Sequence, residues 1–186
     1  MRRCPRVATF RVSDGTAGKE GYMDEGPKFY GRPWRDPERW RALLSGEACP
    51  ICAGDGKPYG IVAELDASYL TTERGTPFRG YCCLVLKRHA VELHDLGDEE
   101  AASLMDDMRR TSRALQQVTG AVKVNVDIHG NTLPHLHAHF FPRYVGDPYE
   151  DGPIDLSRSE DTREFTYDPE EFRTFVEELR AAVEAD

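Results

Sequence analysis

No apolar run in this 186-residue chain approaches the length of about 18 residues that a membrane-spanning helix needs. Basic charge is also short: 24 Lys and Arg stand against 33 Asp and Glu, a formal charge of −9. Broad nucleic-acid binding requires a basic footprint, so that class is excluded, though a small phosphorylated ligand held by a few local donors is not. Met1-Arg2-Arg3 is basic, but no apolar stretch follows, so it does not read as a secretory signal. Cysteines number five, an odd count poorly suited to a disulfide framework. A reducing compartment, the cytoplasm, is therefore expected. Neither an internal repeat nor a low-complexity tract is present. Histidine is scarce too, with six in all, yet every one lies between His89 and His139.

Charge divides the chain. Residues 1–46 hold ten Lys and Arg against six Asp and Glu, and residues 147–186 hold four against fourteen. The first 33 residues are rich in Gly and Arg without periodicity and read as an irregular arm. Asp36-Pro37 opens a short helix, with a capping side chain followed by Pro at the first helical position. Residues 60–65 and 68–73 read as strands around Asp66-Ala67, and Tyr81 to Leu86 as a nearly continuous apolar strand. Leu104, Met108, Leu115 and Val118 recur at helical spacing from Asp98 to Val118, and Gly120 stops that helix. Val122, Val124, Val126 and Ile128 alternate with Lys123, Asn125 and Asp127, the pattern of a half-buried strand. Asp168-Pro169 starts a final helix whose stripe is Phe172, Phe175, Val176, Leu179 and Val183.

The most informative run is His135-Leu136-His137-Ala138-His139-Phe140-Phe141. Successive side chains of a strand point to opposite faces, so the three imidazoles should share one face while Leu136, Ala138 and Phe140 enter a core. Imidazoles on a rigid strand suit nucleophilic, acid–base or metal chemistry near neutral pH. If the 122–128 strand pairs with this one, Asn125 stands beside the histidines. Cys49-Pro50-Ile51-Cys52 is a second signal, shared by zinc knuckles and redox pairs. It lacks the βαβ setting of the redox type. No second Cys-x-x-Cys exists, so further metal ligands would be histidines. Cys82 and Cys83 read as packing residues of an apolar strand.

The run from Gly130 to Arg143 resembles the signature of the histidine triad (HIT) family, His-φ-His-φ-His-φ-φ with φ apolar, followed by Pro-Arg. The block Arg79 to His89 is similar to the family's upstream strand, with Leu86 where Pro is usual, and His94 to Glu100 resembles the entry to its helix. The resemblance covers residues 47–146 and implies an α+β fold. It would be a meander of about five antiparallel strands with helices packed on it, preceded by an N-terminal arm and short helix (1–46) and followed by an acidic extension with a helix (147–186). It implies nucleotide chemistry at an α-phosphate: His137 attacks, a nucleotidyl-histidine forms, and water or another acceptor takes the nucleotide. His135 and His139 complete the catalytic set.

The same resemblance implies the remaining assignments. Asn131 stands where relatives carry Gln and is a candidate phosphate donor or a turn residue. Asn125 is a second donor. Glu73 aligns with an acidic residue that binds ribose hydroxyls, and can equally be a strand-end charge. Arg143 can hold phosphate bidentately or pair with the acidic residues that follow. Cys49, Cys52, His89 and His135 match a closed Cys₂His₂ structural zinc site in related proteins; otherwise the cysteines are free thiols. Family members often pair as homodimers. The leading activity is hydrolysis of a dinucleoside polyphosphate or nucleoside phosphoramidate. Transfer to a non-water acceptor, a non-catalytic nucleotide-binding protein and a metal held by all three histidines are the alternatives. The substrate class expected is a small nucleotide.

Overall fold

The computed structural model describes residues 33–76, 78–150, 152–154 and 165–185. The expected arm lies outside the described residues except for Pro33, which opens a one-turn 3-10 helix. Helix α1 (Pro37–Leu44) begins as its sequence dictates: the Asp36 carboxylate accepts the N–H groups of Glu38 and Arg39 at 3.2 and 3.0 Å.

Five strands form one antiparallel sheet in the order β1 (Ile61–Glu64), β2 (Ser68–Thr71), β4 (Cys82–Leu86), β6 (His137–Arg143), β5 (Lys123–Ile128). A separate two-stranded ribbon pairs β3 (Gly75–Thr76) with β7 (Phe165–Thr166). Helix α2 (Asp98–Thr119) places Asp98, Glu99 and Glu100 in its first turn, where acidic charge complements the helix dipole. Gly120 ends it in the left-handed conformation, φ 68°, donating to the Gln116 carbonyl. Helix α3 runs Pro169–Glu184.

Helices α2 and α3 cover one face of the sheet. The core there joins Leu70, Leu84, Ala138 and Phe140 of the strands to Leu115 of α2 and Phe172, Phe175, Leu179 and Val183 of α3. The final helix is thus part of the same core. Two hydrogen bonds also tie the helix down, from Arg180 Nε to the Val62 carbonyl at 2.6 Å and from Arg110 Nη2 of α2 to the Val183 carbonyl at 3.0 Å. One acidic side chain inside this packing has a clear task. Asp107, fully buried on α2, accepts from the Asp66 and Ala67 N–H groups and the Ser68 hydroxyl at 3.2, 3.0 and 2.7 Å. It fixes the β1–β2 turn to the helix. Cys82 belongs to this core, but Cys83 pairs with His139 on the opposite face, so only Cys82 is a core packing residue.

Directly paired residues share a sheet face. Thr71, Cys83, His139 and Asp127 therefore form one row across β2, β4, β6 and β5, and Tyr69, Val85 and His137 another. The face opposite the two helices carries both histidines.

Candidate active site and metal centre

The expected alternation holds for Leu136, Ala138 and Phe140, which are buried, and for His137 and His139, which are half-buried on the other side. His135 departs from it. Strand β6 starts at His137, and His135 lies in the bend before it, fully buried. Its Nδ1 faces the sulfurs of Cys49 and Cys52, each at 3.5 Å, and its Nε2–H donates to the Leu86 carbonyl at 2.8 Å. Both ring nitrogens are thereby engaged. Only the backbone of His135 reaches the neighbouring chemistry, and it does so directly: the His137 Nδ1–H donates to the His135 carbonyl oxygen at 2.5 Å. A carbonyl can only accept, so the proton is on Nδ1 and the Nε2 lone pair of His137 is free.

His137 and His139 meet edge to face with ring centroids 4.7 Å apart. Burial lowers the pKa of His137 and, with lesser contributions from His137 and His129, holds His139 down at about 3. Both rings are neutral at physiological pH. The Tyr81 hydroxyl lies 2.6 Å from His139 Nδ1, with the two rings nearly parallel and their centroids 5.9 Å apart. Sequence reasoning missed Tyr81, because the contact depends on the β4–β6 register.

The other expected residues fall as follows. Asn125 sits opposite Phe141 on the histidine face, and its Oδ1 accepts from Arg143 Nη1 at 2.5 Å. Arg143 takes the ion-pair alternative. Buried, it pairs through Nε and Nη2 with both Asp147 carboxylate oxygens at 2.8 and 2.7 Å, and also donates to the Tyr149 and Gly152 carbonyls. It ties the segment after β6 onto the sheet. Glu73, exposed just beyond β2, is close enough to raise the pKa values of Cys83 and Tyr81, which puts its charge on the His139 side. Asn131 is exposed in the turn after Gly130, whose φ of 89° requires glycine.

Cys49, Cys52, His89 and His135 come together with all ligand atoms within 4.8 Å of one another. His89 repeats the pattern of His135, with Nδ1 3.4 Å from the Cys52 sulfur and Nε2–H on the Leu44 carbonyl at 3.0 Å. Two thiols thus face two unprotonated Nδ1 atoms, while each ring is oriented through its other nitrogen by a backbone carbonyl. Metal-binding histidines are held in this way. A tetrahedral ion with ordinary metal–sulfur and metal–nitrogen bonds implies sulfur–nitrogen edges of about 3.5 Å, which these separations match. The four residues can hold a metal ion. Gly46 makes room for the cluster: its φ is 84°, and a Cβ there would stand 3.2 Å from His89 Cγ. Arg88 braces it, gripping Glu100 through Nε and Nη2 at 2.7 and 2.5 Å while donating to the His89 and Asp95 carbonyls. Burial first, and then Cys49, push the Cys52 thiol up to about 11; a bound cation would reverse that by taking the thiolate.

Comparison with known proteins bears on the family. The HIT-domain family model matches residues 57–146. The chain carries a HIT domain. The fold is similar to that of a histidine triad protein from Bradyrhizobium japonicum, with a TM-score of 0.59 and 29% identity, covering 66% of this chain and 89% of that one. A bis(5'-nucleosyl)-tetraphosphatase (asymmetrical) of Schizosaccharomyces pombe is 28% identical over 89 residues, 45% of this chain and 48% of the relative. The chain thus matches about half the length of that protein. An adenosine 5'-monophosphoramidase of the same yeast is 23% identical over 136 residues, 73% of this chain and 96% of the relative. The matched HIT segment includes both histidines of the metal cluster but begins after Cys49 and Cys52, and it ends before α3.

Proposed function

We propose that this protein hydrolyses a nucleotide at its α-phosphate through a nucleotidyl-histidine intermediate on His137. The observation that carries the reading is the hydrogen bond from His137 Nδ1 to the His135 carbonyl, which leaves the opposite nitrogen as a lone pair on an otherwise neutral ring. In the first step that Nε2 pair forms a bond to the α-phosphorus, and the bond from phosphorus to the leaving oxygen or nitrogen breaks. An oxygen leaving group departs with its electron pair, and a nitrogen leaving group takes a proton from water. In the second step, water attacks the same phosphorus and releases a proton to solvent, the N–P bond breaks, and a nucleoside monophosphate leaves as His137 regains its lone pair. His139, Asn125 and Asn131 supply donors for the phosphate, and Glu73 takes the ribose hydroxyls. Arg143 serves the site by holding the segment that follows β6. The relatives named for tetraphosphatase and phosphoramidase activity support dinucleoside polyphosphates and adenosine phosphoramidates as the first substrates to try.

The Cys₂His₂ cluster holds zinc in this reading. Soft thiolates with imidazole favour that ion, and four protein ligands leave no open position, so the metal is structural. When bound, it supplies rigidity rather than bond cleavage. A second copy of the chain packs along β5, whose outer edge pairs with no strand among the described residues and whose Val126 and Ile128 are 36% and 37% exposed. No helix among the described residues is long and apolar enough to cross a membrane. The location in this reading is the cytoplasm, and its support is that Cys49, Cys52, Cys82 and Cys83 form no disulfide. The test of the function is a nucleotide panel with product identification in ¹⁸O-water. Label in the released monophosphate supports hydrolysis; unlabelled product joined to another acceptor would replace hydrolysis by transfer.

A further inference from the structure

The Tyr81–His139 pair is not used by the reading above, and its geometry is specific. Tyr81 precedes β4 on the histidine face. Its backbone is held from both sides, the N–H by the Phe78 carbonyl at 3.1 Å and the carbonyl by the Thr72 hydroxyl at 2.8 Å. Its ring packs against Phe141 with centroids 5.2 Å apart and stacks beside His139. The hydroxyl is thereby delivered to His139 Nδ1 at 2.6 Å. Of the two atoms in that contact, the imidazole nitrogen is much the better base and the phenol much the better proton donor. The bond therefore runs from O–H to Nδ1, and the single ring proton of His139 must sit on Nε2.

From this geometry we infer that Tyr81 is a positioning residue that fixes His139 as a neutral Nε2–H donor to a non-bridging phosphate oxygen. His137 and His139 then carry opposite tautomers on one strand, one presenting a lone pair and the other an N–H. The inference rests on the proposed function for its substrate and assigns His139 one of two conceivable tasks. Its Nδ1 is capped by a hydroxyl, so giving up the Nε2 proton to a leaving group would require imidazolate or a proton drawn from Tyr81. As a hydrogen-bond donor it gives up no proton and stabilises charge that builds on the phosphate in the transition state, and the proton that an amine leaving group needs comes from water.

The experiment has two arms. In the first, ¹⁵N-labelled protein is observed through the imidazole nitrogen shifts and their couplings to ring carbon protons. His139 should show a protonated Nε2 and an unprotonated, hydrogen-bonded Nδ1, and Tyr81→Phe should shift that Nδ1 toward the value of a free nitrogen. A proton on Nδ1 in the wild type would overturn the inference. In the second arm, Tyr81→Phe keeps the ring contacts and should lower kcat by about 10-fold, with KM nearly unchanged, for loosening one preorganised donor. The factor should be the same for adenosine 5'-phosphate derivatives with aryl-oxide and alkylamine leaving groups. A loss that grows with leaving-group basicity would instead make His139 the proton donor. A wild type inert toward every nucleotide would overturn the proposed function, while the NMR arm would still decide the role of Tyr81.

Discussion

The Nδ1–H of His137 rests on the backbone carbonyl of His135, whose own ring faces the thiols of Cys49 and Cys52. One bend thus serves a candidate nucleophile and a candidate metal centre together. Replacing His137 by Ala or Asn should lower kcat by roughly 10⁴-fold or more while nucleotide binding is retained, because the loss falls on the chemical step. Rapid quench with α-labelled nucleotide should trap an acid-labile adduct on the wild type alone. Full activity in His137→Ala would remove the covalent mechanism.

Zinc should copurify at one ion per chain. Cys49→Ser should lower both the zinc content, read by elemental analysis, and the melting temperature, since a closed site contributes directly to folding. Activity should fall in parallel, because the bend that orients His137 is anchored by the metal ligand His135. A metal-free wild type with undiminished stability would argue that the cluster is a set of packed thiols and imidazoles.

Acid should destabilise the fold through His139. In the unfolded chain a histidine takes its proton near 6.5, whereas in the folded protein His139 is held at about 3, chiefly by burial. Between those values the unfolded state binds more protons, so this contribution is complete above pH 6.5 and is lost as pH falls toward 3. Urea titrations at a series of pH values should show a steeper decline in wild type than in His139→Asn. Parallel curves would mean that His139 is not held neutral.

Asp107→Ala should cost about 3 kcal/mol of stability, since it strands two N–H groups and a hydroxyl beneath α2. Chemical denaturation measures this directly, and zinc content should not change. A loss below about 0.5 kcal/mol, the usual scale of a surface change, would show that the turn finds other partners.

Much of this arrangement is legible in local pattern. The Asp36-Pro37 start, the Gly120 stop, the apolar stripe of α3 and the alternation at 137–141 each depend on neighbours within one or two turns of chain, and the structure follows them. Of the cluster, the Cys49–Cys52 pair is legible as a local motif, but the choice of His89 and His135 comes only through family resemblance, because the ligands lie on three separated segments. Residues whose task depends on tertiary packing were not legible. Tyr81 needs the β4–β6 register, and Arg88 needs the approach of Glu100 on α2. Asp107 left a trace in the sequence, an acid on the stripe between Leu104 and Met108, but nothing local says which turn it would hold. His135 obeyed the alternation in type but not in conformation. Its ring is drawn into the cluster, and regular pairing starts two residues later.

The contribution of α3 to the core has a practical corollary for anyone cutting this gene. A fragment ended at residue 146, where the family match stops, would leave the greasy underside of the sheet open where Phe172, Phe175, Leu179 and Val183 had lain. Such a fragment would keep every histidine and cysteine of both sites and still precipitate, so the unit of heredity for this chemistry is longer than its signature.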